Sequence, residues 1–322
     1  MNKLCKTKPK LIELFADILV ESFDNEKFFN PNLIAGYFAY IFNIKPNISK
    51  TEVIKLAYYL GVNKIIIANN LSGKARGCFS IYKDNIEIAI KKGLKDETFI
   101  FTILHEMYEI ICGYISSKTK FQGNYQREAS SNRFAACVLM PEDIFLQFLI
   151  RSNYDPYLMV QKYNVNYFAL ILRIMYIFNK YGFPFLGMYA IRKDLCTNRN
   201  KNKYEYNNYI IEQCCYTDNF PKGTSKPIFE SIFPKIFQYN ESDTLKSDFS
   251  TESTKVKIHA TPFFDKYNKI SKILIFAIPP SVMKKLNEKI IGITYTERIL
   301  QKNEQELLIS KSFDNFLYDD IN

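Results

Sequence analysis

At 322 residues, with 47% hydrophobic and 24% charged side chains, the chain can build two or three cores, which excludes a disordered or fibrous class. The formal net charge of +10 permits nucleic acid as a partner but is moderate, and a lysine-rich proteome accounts for it better. The seven cysteines, odd in number and without a CxxC, read as reduced thiols in a cytoplasmic protein and argue against a disulfide-stapled secreted class.

The N-terminus, MNKLCKTKPKLIELFADILVESF, is basic and then apolar, but Glu13, Asp17 and Glu21 interrupt the apolar part, so it is no signal-peptide core. No run reaches eighteen uncharged apolar residues, and no membrane span is expected. Residues 9–23 and 31–44 read as helices separated by Asn30-Pro31. ISKTEVIKLAYYLGV reads as a third, with Ser49 or Thr51 as cap and Gly61 as its stop. The period then changes. IIIA, CFSIY and IEIAI are short strand-like runs, joined by SGKARG and KDN turns, and predict a small antiparallel sheet.

From Asp96 the helical period returns in DETFIFTILHEMYEIICGY. YQREASSNRFAACVLM is a second helix ending at Pro141, and PEDIFLQFLI a third. DPYLMVQKYNVNYFALILRIMYIF is a helix, an NVN turn and a helix, in the manner of a helix-turn-helix. Its second helix has Arg173 as its one charge, so packing against the core of the preceding domain is expected in preference to reading DNA. After about residue 182, 198–209 and 239–254 read as loops, KVKIHATPFF and KISKILIFAIP as paired strands, and 280–302 as a long helix. The fold class is therefore α+β. The divisions are an N-terminal helical extension (1–48), a mainly helical domain with the small sheet (49–150), the helix-turn-helix-like pair (151–182) and a C-terminal α+β domain (183–322).

The chemistry concentrates at FTILHEMYE. Residues four apart share a helix face, so His105 and Glu109 can both reach one ion. Glu106, one position round, can reach a water on that ion, the place of the general base in HExxH enzymes. A third ligand must come from elsewhere, and Glu128 in the next helix is the candidate. Asn132, four residues on, shares the face of Glu128 and is a candidate to orient a ligand or to cap local backbone. Thr102 and Tyr108 read as structural, although Tyr108 or Tyr114 could donate to a developing oxyanion. Phe134, Ala135, Ala136, Leu139 and Met140 read as core. Taken alone, HExxE is a four-letter pattern that many helices contain.

Three runs in order change that. Phe101, Thr102, His105 and Glu106 match an FTxAHExxH helix. Glu128, Asn132, Phe134, Ala135, Ala136, Leu139, Met140 and Pro141 match an ExxAN-x-FAA-x-LLMP helix, and Val165, Ala169, Leu170 and Arg173 match LAxxFxVSxxALxxRL. Over residues 50–180 the chain resembles the ImmA/IrrE family of metallopeptidase-like proteins. The resemblance implies a zincin-like peptidase domain and, from layout alone, a GAF-like C-terminal sensor. It implies a zinc-dependent protease of narrow specificity that cleaves a partner helix-turn-helix repressor in a stress or mobile-element response. His105 and Glu128 take ligand roles and Glu106 the base role.

The departure is Glu109, where the family has histidine; the other histidine, His259, lies far along the chain. A carboxylate can ligate zinc at much the same distance as imidazole. Two anionic ligands make bound water less acidic and move preference towards Mn2+ or Fe2+. With Glu106 a third acid is present, so at least one should hold its proton unusually tightly and the site should be weaker and more pH-dependent. The alternative is a catalytically impaired member that binds a repressor, or DNA, without cutting.

Overall fold

A computed structural model of the chain describes residues 10–23, 29–72, 75–82, 85–119, 127–195, 205–238, 244–250, 255–286 and 288. They form two compact units that divide between Pro141 and Glu142.

The first unit opens with three helices, α1 (Leu11–Ser22), α2 (Pro31–Ile41) and α3 (Lys50–Tyr59). Their starts follow from local chemistry. Asn30 accepts from the amides of Asn32 and Leu33 ahead of Pro31. Of the two caps proposed for α3 it is Ser49 that serves, in a reciprocal capping box with Glu52. Gly61, at φ +103°, ends that helix with a turn that side-chain-bearing residues disfavour.

Next come β1 (Lys64–Ala68), β2 (Gly77–Tyr82) and β3 (Asn85–Lys91), in the order β1-β3-β2. The sheet is mixed, a correction to the antiparallel expectation: β2 pairs antiparallel with β3, but β1 runs parallel to it. β3 takes the centre because Ile86, Ile88 and Ile90 alternate onto one face and are all fully buried, whereas β1 and β2 each leave apolar residues exposed.

Helix α4 (Asp96–Thr119) crosses this unit and packs with α1, α3, α5 (Arg127–Leu139) and the sheet. By length and composition it could span a membrane, but most of it is buried inside the protein, as in a core helix. Phe134 of α5 is fully buried between Phe38 and Tyr108, with ring centroids 5.3 and 5.1 Å away. Small Ser131 and Ala135, both fully buried, let α5 approach α4 closely. Ala136, Leu139 and Met140 are buried as expected of the FAACVLMP run.

The second unit joins α6 (Glu142–Arg151), α7 (Pro156–Tyr163) and α8 (Tyr167–Lys180) to a sheet. Its strands are β4 (Leu186–Arg192), β5 (Glu205–Tyr206), β6 (Tyr209–Tyr216), β7 (Leu245–Ser250), β8 (Lys255–Phe264) and β9 (Ile270–Ile278), wholly antiparallel in the order β5-β6-β4-β9-β8-β7. Helix α9 (Ser225–Phe237) covers one face through Ile228, Phe229, Ile232 and Phe233 against Met188, Ile258 and Ile275. On the other face Gly187 lets α8 come in: an added Cβ would stand 2.6 Å from Ile171. The turn between α7 and α8 uses Asn164 in the left-handed region and Asn166 as cap.

Two expectations change here. Leu245–Ser250 is an edge strand and not part of a loop; with only Leu245 and Phe249 apolar, its period-2 signal was weak. Glu205–Tyr206 and Tyr209 likewise form a hairpin with Asn207 at φ 50°. The apolar face of α8 packs on β4 and β6 of its own unit. The paired strands over 255–278 are present as read, and the helix read over 280–302 is seen at 280–286, its remainder lying outside the described residues apart from 288.

Candidate metal centre

The site is built by α4, α5 and the edge strand β2. On α4, His105 and Glu109 lie one turn apart with side chains 12% and 15% exposed, so packing holds both. From α5 come Glu128 and Asn132, again one turn apart. His105 Nε2 stands 3.5 Å from Glu109 Oε1 and 3.6 Å from Glu128 Oε2. One donor atom from each of the three residues lies within 4.8 Å of the others. The three ligand candidates of the sequence are thus brought together.

Donors of a tetrahedral ion at about 2.0–2.2 Å stand roughly 3.3–3.6 Å apart, so these two edges suit one ion. The donor set points the same way. His105 Nδ1 lies 3.1 Å from Asn132 Oδ1, an acceptor, so Nδ1 donates and the Nε2 lone pair faces two carboxylates. Three electron-rich atoms converging require a positive charge among them, from a proton or a divalent cation. Asn132 Nδ2 also donates to Glu128 Oε1 at 3.4 Å, steadying a carboxylate that is otherwise 80% exposed. Of the two roles open to Asn132, orienting the ligands is the one the structure supports. Asn132→Leu is expected to weaken Zn2+ binding about 10–100-fold by calorimetric titration, with the melting temperature little changed.

Glu106 is the acid that holds its proton. It is 5% exposed, and its pKa is raised to about 7, chiefly by burial, with the charges of Glu109 and Glu128 adding and that of His105 opposing. Its wall is β2: a Cβ on Gly77 would sit 2.8 Å from Glu106 Oε1 and 2.5 Å from Thr102 Cγ2, so glycine is what allows the strand so close. Burial acts to lower the His105 pKa, but the hydrogen bond to Glu109 and the charges of Glu106, Glu128 and Glu109 raise it overall. Burial likewise acts to raise that of Glu109, and the His105 hydrogen bond and Arg127 charge hold it low.

Thr102 donates to the Thr98 carbonyl and Tyr108 to that of Phe29, at 2.7 Å each; these are structural bonds, and they take Tyr108 out of an oxyanion role. Sequence reading missed four neighbours. Ser131 Oγ lies 3.2 Å from Glu109 Oε1 and 2.8 Å from the Arg127 carbonyl, so its one proton can serve either. Arg127 Nε lies 3.3 Å from Glu109 Oε2, and the guanidinium sits 5.8 Å from the ring centre of Phe79. Gly77 looked like the end of a turn. Arg127 and Ser131 gave no signal beyond standing beside Glu128 and Asn132.

No curated protein matches the chain. A solved structure of a Mycobacterium tuberculosis transcriptional regulator has a similar fold, with a TM-score of 0.50 and 12% identity over 85% of this chain and 94% of that one. Residues 57–175, from α3 through α8, match the model of the IrrE N-terminal-like domain, a peptidase-type family. Over that span the chain is similar to the IrrE N-terminal-like domain, with glutamate at position 109.

Proposed function

We propose that the chain is a regulatory metal-dependent endopeptidase, acting in the cytoplasm on a partner helix-turn-helix repressor in a stress or mobile-element response. The observation that carries this reading is the convergence of His105, Glu109 and Glu128 beside buried Glu106. The family and the regulator of similar fold agree with a regulatory role. A divalent cation held by these three residues, Zn2+ or in this oxygen-rich set Mn2+ or Fe2+, would supply Lewis acidity at a scissile carbonyl and a water.

The chain's own residues do the rest. Asn132 fixes His105 with Nε2 free. The Glu106 carboxylate takes a proton from the attacking water and returns it to the leaving nitrogen, work suited to a group whose pKa stands near 7. The sheet of the second unit, faced by helices on both sides, suits a GAF-like sensor that restrains or releases the activity. Incubating the purified, Zn2+-loaded chain with candidate helix-turn-helix repressors from the same genome tests the reading: one discrete cleavage of one of them, abolished by a chelator, is expected. An intact repressor bound by the loaded protein would instead support the second reading, a non-cutting regulator, which Glu109 in place of histidine favours.

A further inference from the structure

Glu109 is held by partners that treat its two oxygens differently. Oε1 faces the cluster, 3.5 Å from His105 Nε2 and 3.2 Å from Ser131 Oγ. Oε2 faces away, 3.3 Å from Arg127 Nε. Arg127 is itself flanked by the Phe79 ring, so β2, α4 and α5 each contribute one member of a Phe79–Arg127–Glu109 stack. Relative to a histidine, a glutamate adds one negative charge and one extra donor atom. The guanidinium meets both: it is a cation, and it occupies the second oxygen.

We propose that Arg127 is the positioning residue that lets a carboxylate serve at position 109, holding Oε2 so that Glu109 offers the cluster Oε1 alone. The proposal rests on the reading that the cluster holds a divalent cation. Its consequence is selectivity. With Oε2 released, the cluster gains an oxygen donor, and extra carboxylate oxygen favours Mn2+ over Zn2+. Loss of the guanidinium charge acts equally on both ions, which carry the same charge, and cancels in their affinity ratio. If Arg127 merely competed with the cation for Glu109, its removal would tighten both ions alike.

The test is calorimetric titration with Zn2+ alone and Mn2+ alone, in wild type, Arg127→Gln, Arg127→Lys, Glu109→His and the Arg127→Gln/Glu109→His double variant. In Arg127→Gln the Zn2+/Mn2+ affinity ratio is expected to fall about tenfold, with most of it restored by Arg127→Lys. Added to Glu109→His, the same substitution should leave the ratio within about twofold, since no second oxygen remains to be held. Phe79→Leu touches no ligand, and should move the ratio the same way by a smaller factor. A ratio unchanged in Arg127→Gln and Phe79→Leu, or an equal fall in both position-109 backgrounds, overturns the proposal while leaving the metal centre standing. Wild type that binds neither ion overturns the metal centre and this proposal with it.

Discussion

Glu106→Gln is expected to reduce cleavage of the partner repressor by a factor of about 10²–10⁴ while cation content and melting temperature stay close to wild type. The amide keeps the shape and most of the contacts of the acid beneath Gly77, but it cannot accept a proton. It also removes a buried carboxyl whose ionisation burial opposes, so the variant should fold at least as well. The same feature sets the pH profile. A base with a pKa near 7 is mostly protonated below that value, so activity should rise with pH through it; a cation among the neighbouring ligands draws the midpoint lower. Unchanged cleavage in Glu106→Gln would reject the proton transfer assigned to Glu106.

The second large effect lies in the C-terminal sheet and concerns stability. His259 on β8 is 2% exposed, pairs across the sheet with Lys246 and Phe276, and has a buried Nδ1 without a hydrogen-bond partner among the described residues. Burial pushes its pKa down to about 4, helped by Lys246 and Lys257 and opposed by Asp155. The unfolded chain, with an ordinary histidine pKa near 6.5, therefore binds more protons than the folded one between about pH 4 and 6.5. Stability then rises with pH across that window, and is lost on acidification by up to about 3 kcal/mol. Glu106, raised in the folded state, has the opposite slope between its ordinary value and about 7, so the wild-type curve alone does not isolate the histidine. The difference between wild type and His259→Leu does. In urea unfolding followed in the C-terminal unit, His259→Leu should gain on wild type by about 3 kcal/mol between pH 6.5 and 4. A difference independent of pH would show that the fold does not depress the His259 pKa.

Most of the helical frame could be read from the sequence because its signals are local. Asn30-Pro31, Ser49-x-x-Glu52 and Gly61 each mark a boundary through a backbone group that needs a partner or a turn. The candidate cluster was legible for a related reason: i,i+4 spacing places His105 with Glu109 and Glu128 with Asn132, whatever the rest of the fold does. What was not legible depends on pairings distant in the chain. Strand direction in the small sheet turns on β1 docking beside β3, and the β7 edge strand offers only two apolar residues to reveal itself. The Phe79–Arg127–Glu109 stack joins three elements, and no spacing rule connects a strand residue to an arginine 48 positions later. Gly77 is the same kind of case: its need for glycine appears only when α4 passes beneath it.

The central claim is that α4 and α5 deliver His105, Glu109 and Glu128 to one cation with Glu106 alongside. Anomalous scattering from a crystal of the Zn2+-loaded protein, collected on both sides of the zinc edge, tests it most directly. The account predicts one peak about 2.0–2.3 Å from His105 Nε2, Glu109 Oε1 and Glu128 Oε2. The absence of a peak there in loaded crystals, or a zinc ion bound elsewhere with the side chains of His105 and Glu128 turned apart, would contradict it.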